Sequence, residues 1–178
     1  MHTRPHILLC GEKHVGKSTL IRRLLENCTC PVYGFMTKMD APAPDGYHDI
    51  YIYPAALPIQ NRERSAENFI SRCDRVHHEI HTEAFDVYGA RLISEARPGG
   101  ILVMDELGFM EAKAPVFTKA VLDALEKDIP VIAAVKARYD VPFLNEVRAC
   151  EKAQVYHIDE TNREELFRSL RERYPFFR

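Results

Sequence analysis

Gly11-Glu12-Lys13-His14-Val15-Gly16-Lys17-Ser18, placed directly after the apolar run His6-Ile7-Leu8-Leu9-Cys10, decides how this chain folds. The pattern is G-x-x-x-x-G-K-[ST], and each fixed position has a physical reason. The two glycines let the backbone turn tightly with its N–H groups inward, Lys17 reaches β- and γ-phosphates, and the Ser18 hydroxyl can ligate Mg²⁺. The residues that follow, Lys17 to about Glu26, predict a helix whose N-terminal dipole favours the same anion. A strand, a glycine-bounded loop and a helix in that order predict a nucleotide-phosphate cradle in an α/β protein.

Outward from this element, apolar runs alternate with helical patterns, the signature of a largely parallel sheet with helices on both faces. Strands are predicted at about His6–Cys10, Val32–Thr37, Ile101–Asp105, Pro130–Val135 and Ala153–Ile158, all rich in Val, Ile, Leu and Ala as doubly covered strands are. Helices are predicted at about Lys17–Glu26, Glu83–Ala96, Pro115–Lys127, Val141–Cys150 and Arg163–Arg173. Pro142 falls in a first helical turn, where its missing N–H costs least. The expectation is one domain over residues 1–178, interrupted at about 39–83 by a hairpin and lid-like insertion.

Within that insertion, Asp40-Ala41-Pro42-Ala43-Pro44-Asp45-Gly46 is a turn-rich connection. His48–Tyr53 alternates Ile50 and Ile52 against Tyr51 and Tyr53, as a half-exposed strand does, and predicts an antiparallel hairpin with the strand ending near Thr37. Arg62–His81 is polar and reads as a partly helical or mobile cover over the nucleotide site. On such a helix Cys73, His77 and His81 would share a face. A zinc reading of that trio is disfavoured, because no fourth ligand stands at metal-site spacing.

The second chemical element is Ile101-Leu102-Val103-Met104-Asp105-Glu106, an apolar strand ending in two acids. In open α/β sheets ligands bind beyond the carboxyl ends of the strands. Asp105 is therefore expected to hold Mg²⁺ through water, and Glu106 to orient or deprotonate the attacking water. Lys136 and Arg138, after the Val131–Val135 run, and Thr37 with Lys38 should reach the same edge and could neutralise charge in transit. Arg22 and Arg23 lie further along the first helix and point less obviously at phosphate.

Composition excludes several classes of function. With 178 residues, 46% hydrophobic and 28% charged, the chain can bury a substantial core. Twenty-four basic against 26 acidic residues leave a net charge of −2, which makes no electrostatic case for nucleic acid. No apolar run is long enough to span a bilayer and no signal-type segment opens the sequence, so no membrane is expected and the cytoplasm is the expected location. The five cysteines lack paired C-x-x-C spacing and read as reduced thiols.

Across most of its length the chain resembles the small P-loop nucleoside-triphosphatases of the cancer-related nucleoside-triphosphatase type. The likeness rests on Gly11–Thr19, Gly34-Phe35-Met36-Thr37, the extended run Val103-Met104-Asp105-Glu106-Leu107-Gly108-Phe109-Met110-Glu111, Asp159-Glu160-Thr161-Asn162-Arg163, and Phe85–Ile93 around Tyr88-Gly89. It implies a RecA-like core and Mg²⁺-dependent hydrolysis of ATP, GTP and other nucleoside triphosphates. Gly11, Glu12, Lys13, His14, Val15, Gly16, Lys17, Ser18 and Thr19 would bind phosphates, with Lys17 and Glu106 catalytic and Ser18 and Asp105 at the metal. Asn162 and Arg163 would take a structural or base-side role. The family's acids after the strand-two threonine are replaced here by Lys38 and Met39, and its arginine- and glycine-rich hairpin by Asp45–Tyr53. Two other activities fit the same parts. One is a nucleotide or small-molecule kinase using Arg62, Arg64, Arg72 and Arg75 as a clamp; the other is a slow nucleotide-dependent switch.

Overall fold

The computed structural model describes residues 5–178. Eight strands form one sheet: β1 His6–Gly11, β2 Val32–Met39, β3 His48–Pro54, β4 Phe69–Cys73, β5 His78–Ile80, β6 Ile101–Leu107, β7 Val131–Lys136 and β8 Ala153–His157, in the spatial order β5-β4-β3-β2-β6-β7-β1-β8. From β2 to β8 every neighbouring pair is parallel; β3, β4 and β5 add antiparallel to the β2 edge. The helices are α1 Lys17–Leu25, α2 Ala90–Ser94, α3 Pro115–Leu125, α4 Pro142–Arg148 and α5 Arg163–Arg173.

Alternation along the strands sorts the core into two layers. Ile7, Leu9, Ile101, Val103, Ile132 and Ala134 pack with Leu20, Ile21 and Leu24 of α1 and Leu170 of α5. Leu8, Leu102, Met104, Ala133 and Val135 pack with residues of α2, α3 and α4. The second layer is anchored by Phe117, whose ring centre lies 5.3 Å from both Phe35 and Phe85. The predicted alternation of the parallel strands and helices is thus the observed one, with ends displaced by one to a few residues.

Two segments differ from expectation. Residues 62–81 are not helical: β4 and β5 extend the sheet instead. The reason is local. The Asp74 carboxylate accepts the N–H groups of Val76 (2.7 Å) and His77 (2.6 Å), closing a turn that reverses the chain. Cys73 is consequently buried in β4, His77 lies in the turn and His81 follows β5, so no helix face unites them. The helix expected over Glu83–Ala96 begins as a wider π-helical coil, Ala84–Gly89, before α2. There the Phe117 ring approaches Gly89 so closely that a Cβ would stand 2.8 Å from it, and Asp86 accepts the Phe117 N–H at 2.9 Å.

Candidate active site

β1 ends at Gly11, where the backbone runs hard against the end of β8: a Cβ there would lie 2.4 Å from the Ile158 carbonyl oxygen. The loop then needs two left-handed residues, His14 (φ 67°) and Gly16 (φ 99°), before α1 starts with the Leu20 N–H donating to the Gly16 carbonyl at 2.9 Å. At Gly16 a Cβ would stand 2.8 Å from Cδ of the exposed Arg163 side chain, which lies across the loop. No side chain caps α1, so its first-turn N–H groups remain available to an anion. Lys17 is 3% exposed, and its ammonium donates to the carbonyls of Gly11 (2.8 Å) and Glu12 (2.6 Å), bracing the loop from inside.

Asp105 and Glu106 meet this loop together, which a regular strand would forbid because neighbouring side chains point to opposite faces. The β6–β7 register shows how it is done: Asp105 pairs with Ala134 and Leu107 with Val135, leaving Glu106 as a surplus residue. This bulge re-aims the chain. Leu102, Met104 and Leu107 share one core layer, while Asp105 faces α1 and accepts the Ser18 hydroxyl at 2.7 Å. Glu106 places one carboxylate oxygen 3.1 Å from Lys17 Nζ and the other 3.3 Å from Lys136 Nζ.

The remaining candidates divide clearly. Lys136 joins the site through Glu106 and lies 5.6 Å from the centre of the Phe109 ring. Arg138 spends its fork on Asp140, at 2.8 and 2.7 Å, and its guanidinium carbon lies 5.4 Å from the centre of the Phe109 ring. Lys38 is exposed near the end of β2, opposite Tyr51 of β3. Asn162 is structural: it accepts the Asp159 N–H at 3.0 Å and donates to the His157 carbonyl at 2.9 Å, shaping the turn into α5 that lays Arg163 along Gly16. Arg22 donates to Thr19 at 3.3 Å, and Arg23 is paired with Glu164 of α5.

Glu111 is a site residue that the sequence reading quoted but gave no role. It is 1% exposed and its carboxylate accepts the Gly108 N–H, tying down the chain just after the bulge. The available signal was an acid recurring five residues after Glu106 inside an otherwise apolar run. Burial pushes its carboxyl up to about 7, from an ordinary value of 4.5, against the hydrogen bond from Gly108. Between those two values the unfolded chain releases a proton that the folded chain keeps, so stability falls as pH rises through this window and the penalty is complete above about 7. Glu111→Gln keeps an acceptor for Gly108 without the titration. Thermal melts should therefore place the variant above wild type at pH 8, with the gap closing towards pH 4.5. A gap that is the same at both pH values would show that Glu111 does not titrate in the folded protein.

Ser18 and Asp105 form a pair of hard oxygen donors of the kind that suits Mg²⁺. The Asp105 carboxylate is 3% exposed, and burial pushes it up to about 6 in spite of the Ser18 hydrogen bond. Among the described residues no cation stands within ion-pair distance of Asp105, and a buried carboxylate without such a partner fits a cation at this position.

The chain is also similar to known proteins. The profile of the NTPase family matches residues 6–170. The chain is 28% identical over 178 residues to the nucleoside-triphosphatase THEP1 of Natranaerobius thermophilus, covering 96% of this chain and 97% of that one. It is 26% identical over 168 residues to the THEP1 of Methanocaldococcus jannaschii, covering 92% and 94%. Among solved structures, THEP1 from the hyperthermophile Aquifex aeolicus superposes with a TM-score of 0.71 at 18% identity, over 93% of this chain and 96% of its own, which supports an α/β P-loop fold.

Proposed function

Since the chain belongs to the NTPase family, we propose that it cleaves the β–γ anhydride of nucleoside 5′-triphosphates, ATP and GTP among them, to diphosphate and phosphate with Mg²⁺ held at Ser18 and Asp105. Hydrolysis of nucleoside triphosphates is the activity of the relatives to which it is similar over nearly its whole length. The observation that carries the mechanism is Glu106, suspended between Lys17 and Lys136 at the mouth of the loop.

The inward N–H groups of residues 11–19 and the Lys17 ammonium receive the phosphates. When Lys17 turns to the β- and γ-phosphates, Glu106 keeps Lys136 and is freed on one oxygen. That oxygen orients the attacking water and accepts its proton. Lys136, fixed by Phe109 on one side and Glu106 on the other, holds the base in place and opposes the charge spreading over the departing phosphoryl group. A bound Mg²⁺ would supply neutralisation of phosphate oxygens. The contacts assigned here are all to phosphate and metal, which every nucleoside triphosphate presents, and a broad substrate range is the expected consequence. The working location is taken to be the cytoplasm; among the described residues no helix is long and apolar enough to cross a membrane.

Phosphate release from ATP, GTP, CTP and UTP tests the reading. All four should turn over within about tenfold of one another, and chelation with EDTA should reduce each by about a hundredfold or more. Undiminished turnover in EDTA would remove the metal, and activity confined to a single nucleotide would remove the broad range.

A further inference from the structure

We propose that a cavity on the α1 face of the sheet, walled by Lys38, Tyr53, Arg62 and Arg64, is a subsite for a small phosphate-bearing molecule bound beside the nucleotide. The cavity holds about 480 Å³, and Asp40, Ile59 and Glu63 complete its lining. That is room for more than an inorganic ion and falls in the range of small-molecule sites.

Arg62 is the telling residue. Its Nε donates to the Leu57 carbonyl at 3.2 Å, one terminal nitrogen lies 3.5 Å from the Met36 sulfur, and its guanidinium carbon sits 5.3 Å from the Tyr53 ring centre. Among the described residues no carboxylate comes within ion-pair distance of it. Burial accordingly holds its pKa below the usual arginine value. The neighbouring arginines of the insertion are already matched, Arg64 to Asp40 at 2.8 Å and Arg72 to Asp49 at 3.0 Å. Lys38, like Arg62, makes no ion pair among the described residues. Three cations thus share the lining with two carboxylates, Asp40 committed to Arg64 and Glu63 in no ion pair among the described residues, which leaves one net positive charge and, within it, a half-buried guanidinium fork and an ammonium without partners. That combination recognises a phosphate monoester or phosphate itself.

Position gives the subsite its meaning. Met36, which Arg62 touches, pairs directly with Asp105 across β2 and β6, and Asp105 and Arg22 both act electrostatically on Arg62. The cavity therefore opens at the same strand ends as the nucleotide cradle, next to it on the insertion side. Its ligand has two sources, the phosphate released by hydrolysis or a separate phosphorylated molecule.

The test uses the full chain saturated with Mg²⁺ and a non-hydrolysable β,γ-imido nucleotide, so that the cradle is filled. Inorganic phosphate and glycerol 3-phosphate are then titrated separately by calorimetry. At least one should bind; phosphate alone marks a product site, and the monoester marks a separate ligand. Arg62→Gln should weaken that binding about tenfold or more, and Arg62→Lys and Lys38→Gln each about threefold, with imido-nucleotide affinity unchanged. Arg62→Lys, which keeps the charge, and the separate Lys38→Gln change guard against a folding artefact at position 62. The same titration in Lys17→Ala, whose cradle no longer competes for phosphate, reads the subsite even if the nucleotide reading fails. Absence of binding by both probes, or binding indifferent to Arg62 and Lys38, overturns the proposal.

Discussion

Replacing Lys17 with alanine should abolish turnover and weaken nucleoside triphosphate binding by about two to three orders of magnitude. Three contacts vanish at once: the loop loses the ammonium that draws in the carbonyls of Gly11 and Glu12, and Glu106 loses its 3.1 Å partner. Truncating one member of a buried charge pair costs about 2–5 kcal/mol, with about 1.4 kcal/mol per tenfold in affinity. The loss should exceed that of any single phosphate contact, since the alanine variant forfeits both a charge and the brace that shapes the loop. Calorimetry with the imido nucleotide measures the binding part, and phosphate release measures the rest. Affinity within threefold of wild type would mean that the phosphates lie elsewhere.

The second large effect falls on rate alone. Glu106→Gln removes the acceptor for the water proton while keeping the shape of the side chain, and kcat should drop by about 10²–10⁴. Binding should hold or tighten slightly, because the substitution deletes a negative charge that competes with the triphosphate for Lys17 and Lys136. A variant that binds and does not turn over is the expected phenotype; turnover equal to wild type would take Glu106 out of the chemistry.

Much of this architecture is legible in the sequence. The cradle was legible because each of its positions answers a separate demand: tight turning at Gly11 and Gly16, charge at Lys17, a hydroxyl at Ser18. The parallel strands were legible because runs such as Ile101–Met104 are apolar on both faces. Residues 69–80 were not. Their strands are five and three residues long, too short for alternation to stand out, and the turn between them rests on one aspartate side chain. Two adjacent acids were a correct pointer to a shared edge, yet strand geometry alone would have sent them apart; only the register of β6 against β7 reveals the extra residue. In the sequence Arg62 is one arginine among four. What distinguishes it, the missing counterion, depends on where Asp40, Asp45 and Asp49 happen to be engaged.

The surplus residue at position 106 acts as a phase shifter for the whole exit of the strand. Up to Met104 odd and even positions obey one rule, and from Leu107 onward the counting restarts with the leucine inward. An insertion or deletion anywhere between Met104 and Gly108 would be read out twice, as a misaimed carboxylate and as a core leucine delivered to solvent. Frame errors here would therefore not accumulate as inactive but well-folded proteins: catalysis and solubility would be lost in the same step.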